Sequence, residues 1–270
     1  MEVYQPVKWV LLRSTQLLTL ILVLAAPACA QHFPHVQAHA HNDYEHSRPL
    51  LDALDNGFVS IEADVHLVDN LILVSHDRPT DKHRTLEKLY LRPLDSIARK
   101  NNAWVYAKYR QPMILMIDIK TPAAETFDAL KVCLLKYKDL LSTPSHDGPV
   151  KVVISGNRSL RSIQSDTDHL TSIDGRPEDL GHKFSAAEMP VVSESYQKVT
   201  GEKSSFMPSK ESLSRINDLA ARVHAEGKKL RLWAIPDNEK AWQALLGAGV
   251  DIINTDKLQE LHTYLTTKQL

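Results

Sequence analysis

His39-Ala40-His41-Asn42-Asp43-Tyr44, then Val59-Ser60-Ile61-Glu62-Ala63-Asp64-Val65, then Leu71-Ile72-Leu73-Val74-Ser75-His76-Asp77: these three segments decide how the chain is read. Each is led by apolar residues and stops on His, Asp or Glu. A buried strand stays apolar until it leaves the core, and polar groups that must meet a ligand sit at that exit. Glu62 and Asp64 are two apart, so on a strand both carboxylates face the same way. Two acids held together repel unless a cation or a shared proton lies between them. Two imidazoles arriving from other segments could supply a base and an acid near neutral pH.

Working outward, the chain has 270 residues, 43% hydrophobic and 24% charged, which suits one large domain with a substantial core. Its net charge of −1 leaves no basic excess to neutralise phosphates, which argues against nucleic acid as the main partner. The first thirty residues read as a secretory signal peptide. Lys8 and Arg13 precede the apolar run Leu17 to Ala26, and Ala28-Cys29-Ala30 is a small-x-small cleavage site. Cleavage after Ala30 predicts a secreted or periplasmic protein. The apolar run is short for a membrane span of about 20 residues. A lipoprotein attached through Cys29 is disfavoured by Pro27 and Ala26. Only Cys133 would then remain, in the amphipathic run Phe127 to Leu135, where it reads as a small buried hydrophobe and not a nucleophile.

Strand and helix patterns alternate over residues 31–270. Strands are expected at Val36–Ala40, Phe58–Val65, Leu71–Ser75, Met113–Ile119, Val150–Ser155, Leu170–Asp174, Met189–Ser193, Lys229–Ala234 and Val250–Asn254. Helices are expected at Arg48–Asn56, Thr85–Lys100, Ala123–Leu141, Arg158–Ser165, Lys210–Glu226, Glu239–Leu246 and Leu258–Thr266. Pro177 to Glu188 shows no period. Such alternation implies a parallel sheet, and about eight units fit a single-domain α/β fold, the (β/α)8 TIM barrel. An open doubly wound sheet is the rival, but no Gly-x-Gly-x-x-Gly loop follows the first strand. A barrel demands its chemistry at strand C-termini. His41, Glu62, Asp64, Asp118, Lys120, Trp233 and Asn254 all lie at or near such ends.

In order and spacing, His41, Glu62-Ala63-Asp64, His76-Asp77, Asp118-Ile119-Lys120, Trp233 and Gly249-Val250-Asp251-Ile252-Ile253-Asn254-Thr255-Asp256 resemble a known superfamily. It comprises the glycerophosphodiester phosphodiesterase and phosphatidylinositol phospholipase C-like barrels. Ala40 to Tyr44, Pro49-Leu50, Ala53-Leu54 and Arg84 to Leu94 are similar to its subgroup named for altered inheritance of mitochondria. The resemblance implies a TIM barrel that hydrolyses phosphodiesters with His41 and His76 as an acid–base pair. His41 is assigned as base and His76 as acid. Two positions depart from the usual pattern. Asn42 stands where an Arg helps hold the phosphate, and Asp118 stands where the third metal carboxylate is Glu. Little room is left after His76 for the inserted subdomain of the glycerophosphodiesterases.

Glu62, Asp64 and Asp118 offer an all-oxygen site for Mg2+ or Ca2+, with open positions for phosphate oxygens. A lone Glu-x-Asp would suit an exposed edge strand, but Ile61 and Val65 flank this one with apolar bulk. Lys120 can offset phosphate charge in the transition state. Asn42, Asp43 and Trp233 are candidate substrate contacts. Asn157, Arg176, Glu188, Glu194 and Asn238 form a second tier. Two further readings stay open. His39 and His41 form a His-x-His pair, with which amidohydrolase-type barrels bind Zn2+. The third is a catalytically silent barrel that binds a phosphorylated ligand.

Overall fold

The computed structural model describes residues 1–2, 34–181, 184–204 and 207–268. The chain divides into two compact units, Met1–Gln31 and His32–Leu270, and the described fold is that of the second. The proposed signal peptide, residues 1–30, lies outside the described residues apart from Met1 and Glu2.

Each apolar run becomes a strand: β1 (His35–Ala40), β2 (Phe58–Val68), β3 (Leu71–Val74), β4 (Met113–Ile119), β5 (Val150–Gly156), β6 (Thr171–Gly175), β7 (Val191–Ser195), β8 (Lys229–Trp233) and β9 (Ile252–Thr255). The sheet runs β1-β9-β8-β7-β6-β5-β4-β2-β3, and β1 pairs again with β2. Eight parallel strands therefore close a barrel, the (β/α)8 architecture expected from the alternation. β3 stands outside it, antiparallel to β2. Asp69 and Asn70 join the two strands with φ of 50° and 61°, the left-handed pair that a two-residue hairpin turn requires.

The outer ring is α1 (Leu51–Asp55), α2 (Arg92–Lys100), α3 (Ala123–Leu135), α4 (Leu160–Ser165), α5 (Tyr196–Thr200), α6 (Lys210–Ala225), α7 (Glu239–Gly247) and α8 (Leu258–Lys268). Strand residues alternate between the two faces of the barrel wall. Ile61, Ala63, Val65, Leu115, Ile117, Val152 and Ile154 join the main core with the helices, whereas Met116, Val153, Val191 and Ile252 form a separate apolar floor. Above that floor the interior turns polar, with His39, Ser60, Glu62, Ser193, Arg231 and Asn254 all buried.

Departures from expectation are local. α3 stops at Leu135, and a short 3-10 turn over Lys138–Leu140 replaces its last part. A wide π-turn over Glu87–Leu91 opens α2, ahead of Pro93, which has no N–H to continue the ladder. β6 begins one residue later than expected and β7 two, and among the described residues of their connection the one helical turn is a 3-10 turn at Pro177–Asp179. α5 is too short for an amphipathic period to declare it, and it ends on Gly201 at φ 79°.

Trp242 of α7 is fully buried and donates its indole N–H to Asp237 at 2.8 Å. Trp242→Ala should cost about 3–5 kcal/mol, read as a fall in urea midpoint against the unmodified chain.

Candidate active site

The parallel register of β2 and β4 sets Asp64 directly beside Asp118, and that of β4 and β5 sets Asp118 beside Ser155. Glu62 lies one inward step below Asp64. Oxygen atoms of Glu62, Asp64 and Asp118 consequently lie within 4.8 Å of one another. They line a cavity of about 420 Å3 at the C-terminal mouth, with His41, Asn42, His76, Lys120, Asn157, Arg176, Arg231 and Trp233. Residues drawn from seven strands and their exits thus converge, as a barrel active site requires.

Cations hold the acids together. Arg231 of β8 donates from Nη2 to Glu62 at 3.0 Å, and from Nε and Nη2 to Asn254 at 3.0 and 2.5 Å. Burial alone would raise the Glu62 carboxyl, but Arg231 and His39 hold it well below the usual carboxylate range. Lys120 Nζ bridges Asp64 at 3.1 Å and Asp118 at 3.0 Å. Burial opposes its charge, yet Asp118 and Asp64 keep its pKa raised. Asp118 is pushed up to about 6 by burial, which Lys120 opposes and the charges of Glu62 and Asp64 reinforce. Its Oδ1 is buried with no hydrogen-bond partner among the described residues, and its contact there is the ion pair with Lys120. Three hard oxygen donors at this separation, one of them without a hydrogen bond, could hold a metal ion.

Each histidine is anchored through Nδ1. His41 donates to Asp256 at 2.7 Å. Burial would lower its pKa, but Asp256 and then Glu62 hold it above the ordinary imidazole value. His76 follows the β2–β3 hairpin, whose return strand brings Ser75 N to the carbonyl of Asp64 at 3.1 Å. Its Nδ1 donates to Asp64 Oδ2 at 3.1 Å. Tyr44 OH lies 2.8 Å from the same oxygen and 2.7 Å from Asn42 Oδ1, so its single proton serves one at a time. With Nδ1–H committed in both rings, Nε2 of each is left to take or give a proton.

Several expectations change here. His39 does not pair with His41 around a metal. It is fully buried, with Nδ1 2.7 Å from Ser60 Oγ and Nε2 3.3 Å from Glu62. Burial, and next Arg231, push its pKa down to about 4, so it is neutral. Both nitrogens are occupied, which removes the geometric basis for a His-x-His zinc site. Asp43 is not a substrate contact either. It is fully buried, outside the cavity lining, and accepts from Leu50 N at 2.6 Å and Tyr90 OH at 2.8 Å. Glu188 caps Ser185, Asn238 caps α7, and Glu194 pairs with Lys198. Arg231, Ser155, Gly156 and Tyr44 escaped the sequence reading. Arg231 did leave a signal in Lys229-Leu230-Arg231-Leu232-Trp233, whose alternation puts a charge on the inward face.

Residues 29–172 match the AIM6-like phosphodiesterase domain, a span of more than half the chain. The chain belongs to the AIM6-like phosphodiesterase domain family. Residues 229–259 match the glycerophosphoryl diester phosphodiesterase family, so both ends of the barrel carry the same superfamily pattern. The chain is 26% identical over 263 residues to the altered inheritance of mitochondria protein 6 homolog of Arthroderma benhamiae, covering 85% of this chain and 83% of that protein. To altered inheritance of mitochondria protein 6 of Lachancea thermotolerans it is 26% identical over 278 residues, covering 83% and 64% respectively. Against the Saccharomyces cerevisiae protein of the same name, identity is 31% over 142 residues, 44% of this chain and 36% of that one. These names correct the expected secreted or periplasmic location: they tie the relatives to the inheritance of mitochondria, not to export. Among the described residues no helix is long and apolar enough to cross a membrane.

Burial raises the Asp43 carboxyl to about 6, against the lowering pull of Leu50 N and Tyr90 OH. A folded-state pKa above the unfolded one gives stability that is full below the unfolded value and lost as pH rises through the folded value. Asp43→Asn cannot ionise. Between pH 4 and 8 the unmodified chain should therefore lose on the order of 3 kcal/mol relative to the variant. Urea midpoints measured across that range check this, and a flat difference would refute it.

Proposed function

We propose that this chain hydrolyses phosphodiesters with one divalent cation, Mg2+ or Ca2+, held by Glu62, Asp64 and Asp118, and with His41 and His76 exchanging the protons. The observation that carries the reading is convergence: both imidazoles, all three carboxylates and Lys120 line one cavity. A bound cation would supply charge neutralisation and polarisation of a phosphoryl oxygen.

The chain's own residues do the rest. His41 acts as base. Its Nδ1–H donates to Asp256, which fixes the ring and stabilises the imidazolium formed when Nε2 takes a proton from water or from a substrate hydroxyl. His76 acts as acid, passing an Nε2 proton to the leaving oxygen while Asp64 steadies its Nδ1. Lys120 offsets the charge that grows on the phosphoryl oxygens. Asn42 and Trp233 supply a polar edge and an apolar edge for the alcohol portions of the substrate. A barrel that binds a phosphorylated ligand without turnover is the competing outcome of the same experiment.

Bis(p-nitrophenyl) phosphate and a panel of glycerophosphodiesters should be cleaved with Mg2+, Ca2+ or Mn2+ and left intact after chelation. His76→Ala should lower kcat by roughly 10²- to 10⁴-fold while the melting curve stays unchanged. Full activity in the variant discards the acid role, turnover in excess chelator discards the metal, and no turnover under any condition discards the enzyme.

A further inference from the structure

The cavity holds three permanent cations, and their donors are not equally committed. Arg231 spends Nε and Nη2 on Asn254 and Glu62, and its Nη1 reaches Ser193 Oγ at 3.5 Å. Lys120 is shared between Asp64 and Asp118. Arg176, at the exit of β6, is different. Its Nη1 is seated in a three-acceptor cradle: Asp174 Oδ2 at 2.8 Å, the Gly175 carbonyl at 2.9 Å and the Asp174 carbonyl at 3.2 Å. Asp174 is itself fully buried and fixed by Ser155 Oγ at 2.7 Å and Ser193 Oγ at 2.5 Å. The guanidinium is thus clamped along one edge. On the other edge Nη2 makes only a 3.4 Å contact with Ser155 Oγ, and Nε has no hydrogen bond to a described residue. Nε–H and Nη2–H form the side-on fork that meets a carboxylate or phosphate in bidentate fashion.

The surroundings of Arg176 are consistent with such a use. The acids near it have other partners: Asp118 pairs with Lys120, and Glu194 with Lys198 at 2.6 Å. The same wall of the cavity carries Ser155 and Asn157, whereas Ile119 and Trp233 are its large apolar members. About 420 Å3 exceeds what a phosphate alone fills and lies in the range of small-ligand sites. The scissile phosphate has one negative charge, already met by the proposed cation and Lys120.

We infer that Arg176 is a specificity residue that binds a second anionic group, a carboxylate or a phosphate, carried on the alcohol of the phosphodiester. This rests on the phosphodiesterase reading above and narrows its substrate class to small, polar, doubly anionic phosphodiesters. A cationic head group would bring no acceptor for Nε–H and Nη2–H and would be disfavoured.

Two substrate pairs isolate the added charge. Glycerophosphoserine and glycerophosphoethanolamine differ by one carboxylate. Glycerophosphoinositol 4-phosphate and glycerophosphoinositol differ by one phosphate. The full chain should show at least about tenfold higher kcat/KM for the anionic member of one pair, or about 1.4 kcal/mol of discrimination. In Arg176→Gln that ratio should collapse toward one, and in Arg176→Lys it should be partly kept. Because the readout is a ratio within one variant, a general loss of folded protein does not move it. Equal rates on both members of both pairs overturn the inference, as does a preference that survives in Arg176→Gln. If none of these compounds nor bis(p-nitrophenyl) phosphate is cleaved, the phosphodiesterase reading itself has failed.

Discussion

The rest of this structure depends on three carboxylates being forced together. Two charges about 4.8 Å apart repel by on the order of 3 kcal/mol in a medium of effective dielectric near 20. Glu62, Asp64 and Asp118 contain three such pairs. Backbone pairing imposes this arrangement, because β2 and β4 run in parallel with Asp64 opposite Asp118. The fold answers with charge. Arg231 is driven into the interior beside Glu62, and Lys120 spans the other two. Two cations against three acids leave one negative charge over, and the Asp118 pKa, already raised by burial, is raised further by Glu62 and Asp64. A barrel shaped for stability alone would carry apolar layers to its mouth, since buried ion pairs seldom repay their desolvation. Below the site it does so, with Met116, Val153, Val191 and Ile252. The polar interior begins where the acids need support.

That support explains why His39 and His41, two residues apart, have unlike fates. His39 lies below the mouth, where Ser60 and Glu62 take both of its nitrogens and burial, then Arg231, keep it neutral. It is part of the scaffold for Glu62. His41 comes after β1 has ended, at the exit where Asn42 turns the chain with φ 46°. There it meets Asp256 from beyond β9, a strand hydrogen-bonded to β1. His76 reaches the same cavity by another route, just beyond β3, the return strand of a hairpin that pairs with the end of β2. One imidazole is mounted on the barrel and the other on an appendage, and each is oriented by a carboxylate.

Much of this was legible in the sequence because it follows from short periods. Alternation of apolar strands and amphipathic helices set the barrel, and the polar residue closing each apolar run marked its mouth. Glu-x-Asp put two acids on one face by strand geometry alone. What escaped was long-range. No local pattern announces that Arg231 lies beside Glu62, 169 positions away in sequence. Asp43 was misread for a related reason: two residues after His41 in sequence, it looks like a pocket residue, but the left-handed turn at Asn42 carries it under the surface to Leu50 and Tyr90. α5 was missed because one helical turn has no period to detect. The secreted or periplasmic location, inferred from residues outside the described fold, was corrected by the relatives' names.

Gly156 shows how closely the third carboxylate is fitted. It ends β5 with φ 67°, a conformation that side chains avoid, and a Cβ there would collide with the Asp118 carboxylate and come within 2.6 Å of the Ile119 carbonyl. Asp118 Oδ1 thus fills the space that any other residue at 156 would claim. Asp118 is one methylene shorter than the glutamate that the superfamily pattern leads one to expect, yet it still meets Glu62 and Asp64. Two features make that possible: in-register pairing brings its strand alongside β2, and a bare backbone on the far side leaves its carboxylate room. The next residue, Asn157, returns to the carbonyl of Ile119 at 2.8 Å and holds the exits of β4 and β5 together above the acid. The acidic cluster is therefore a product of three adjacent strands, two supplying the charges and the third supplying an absence of side chain.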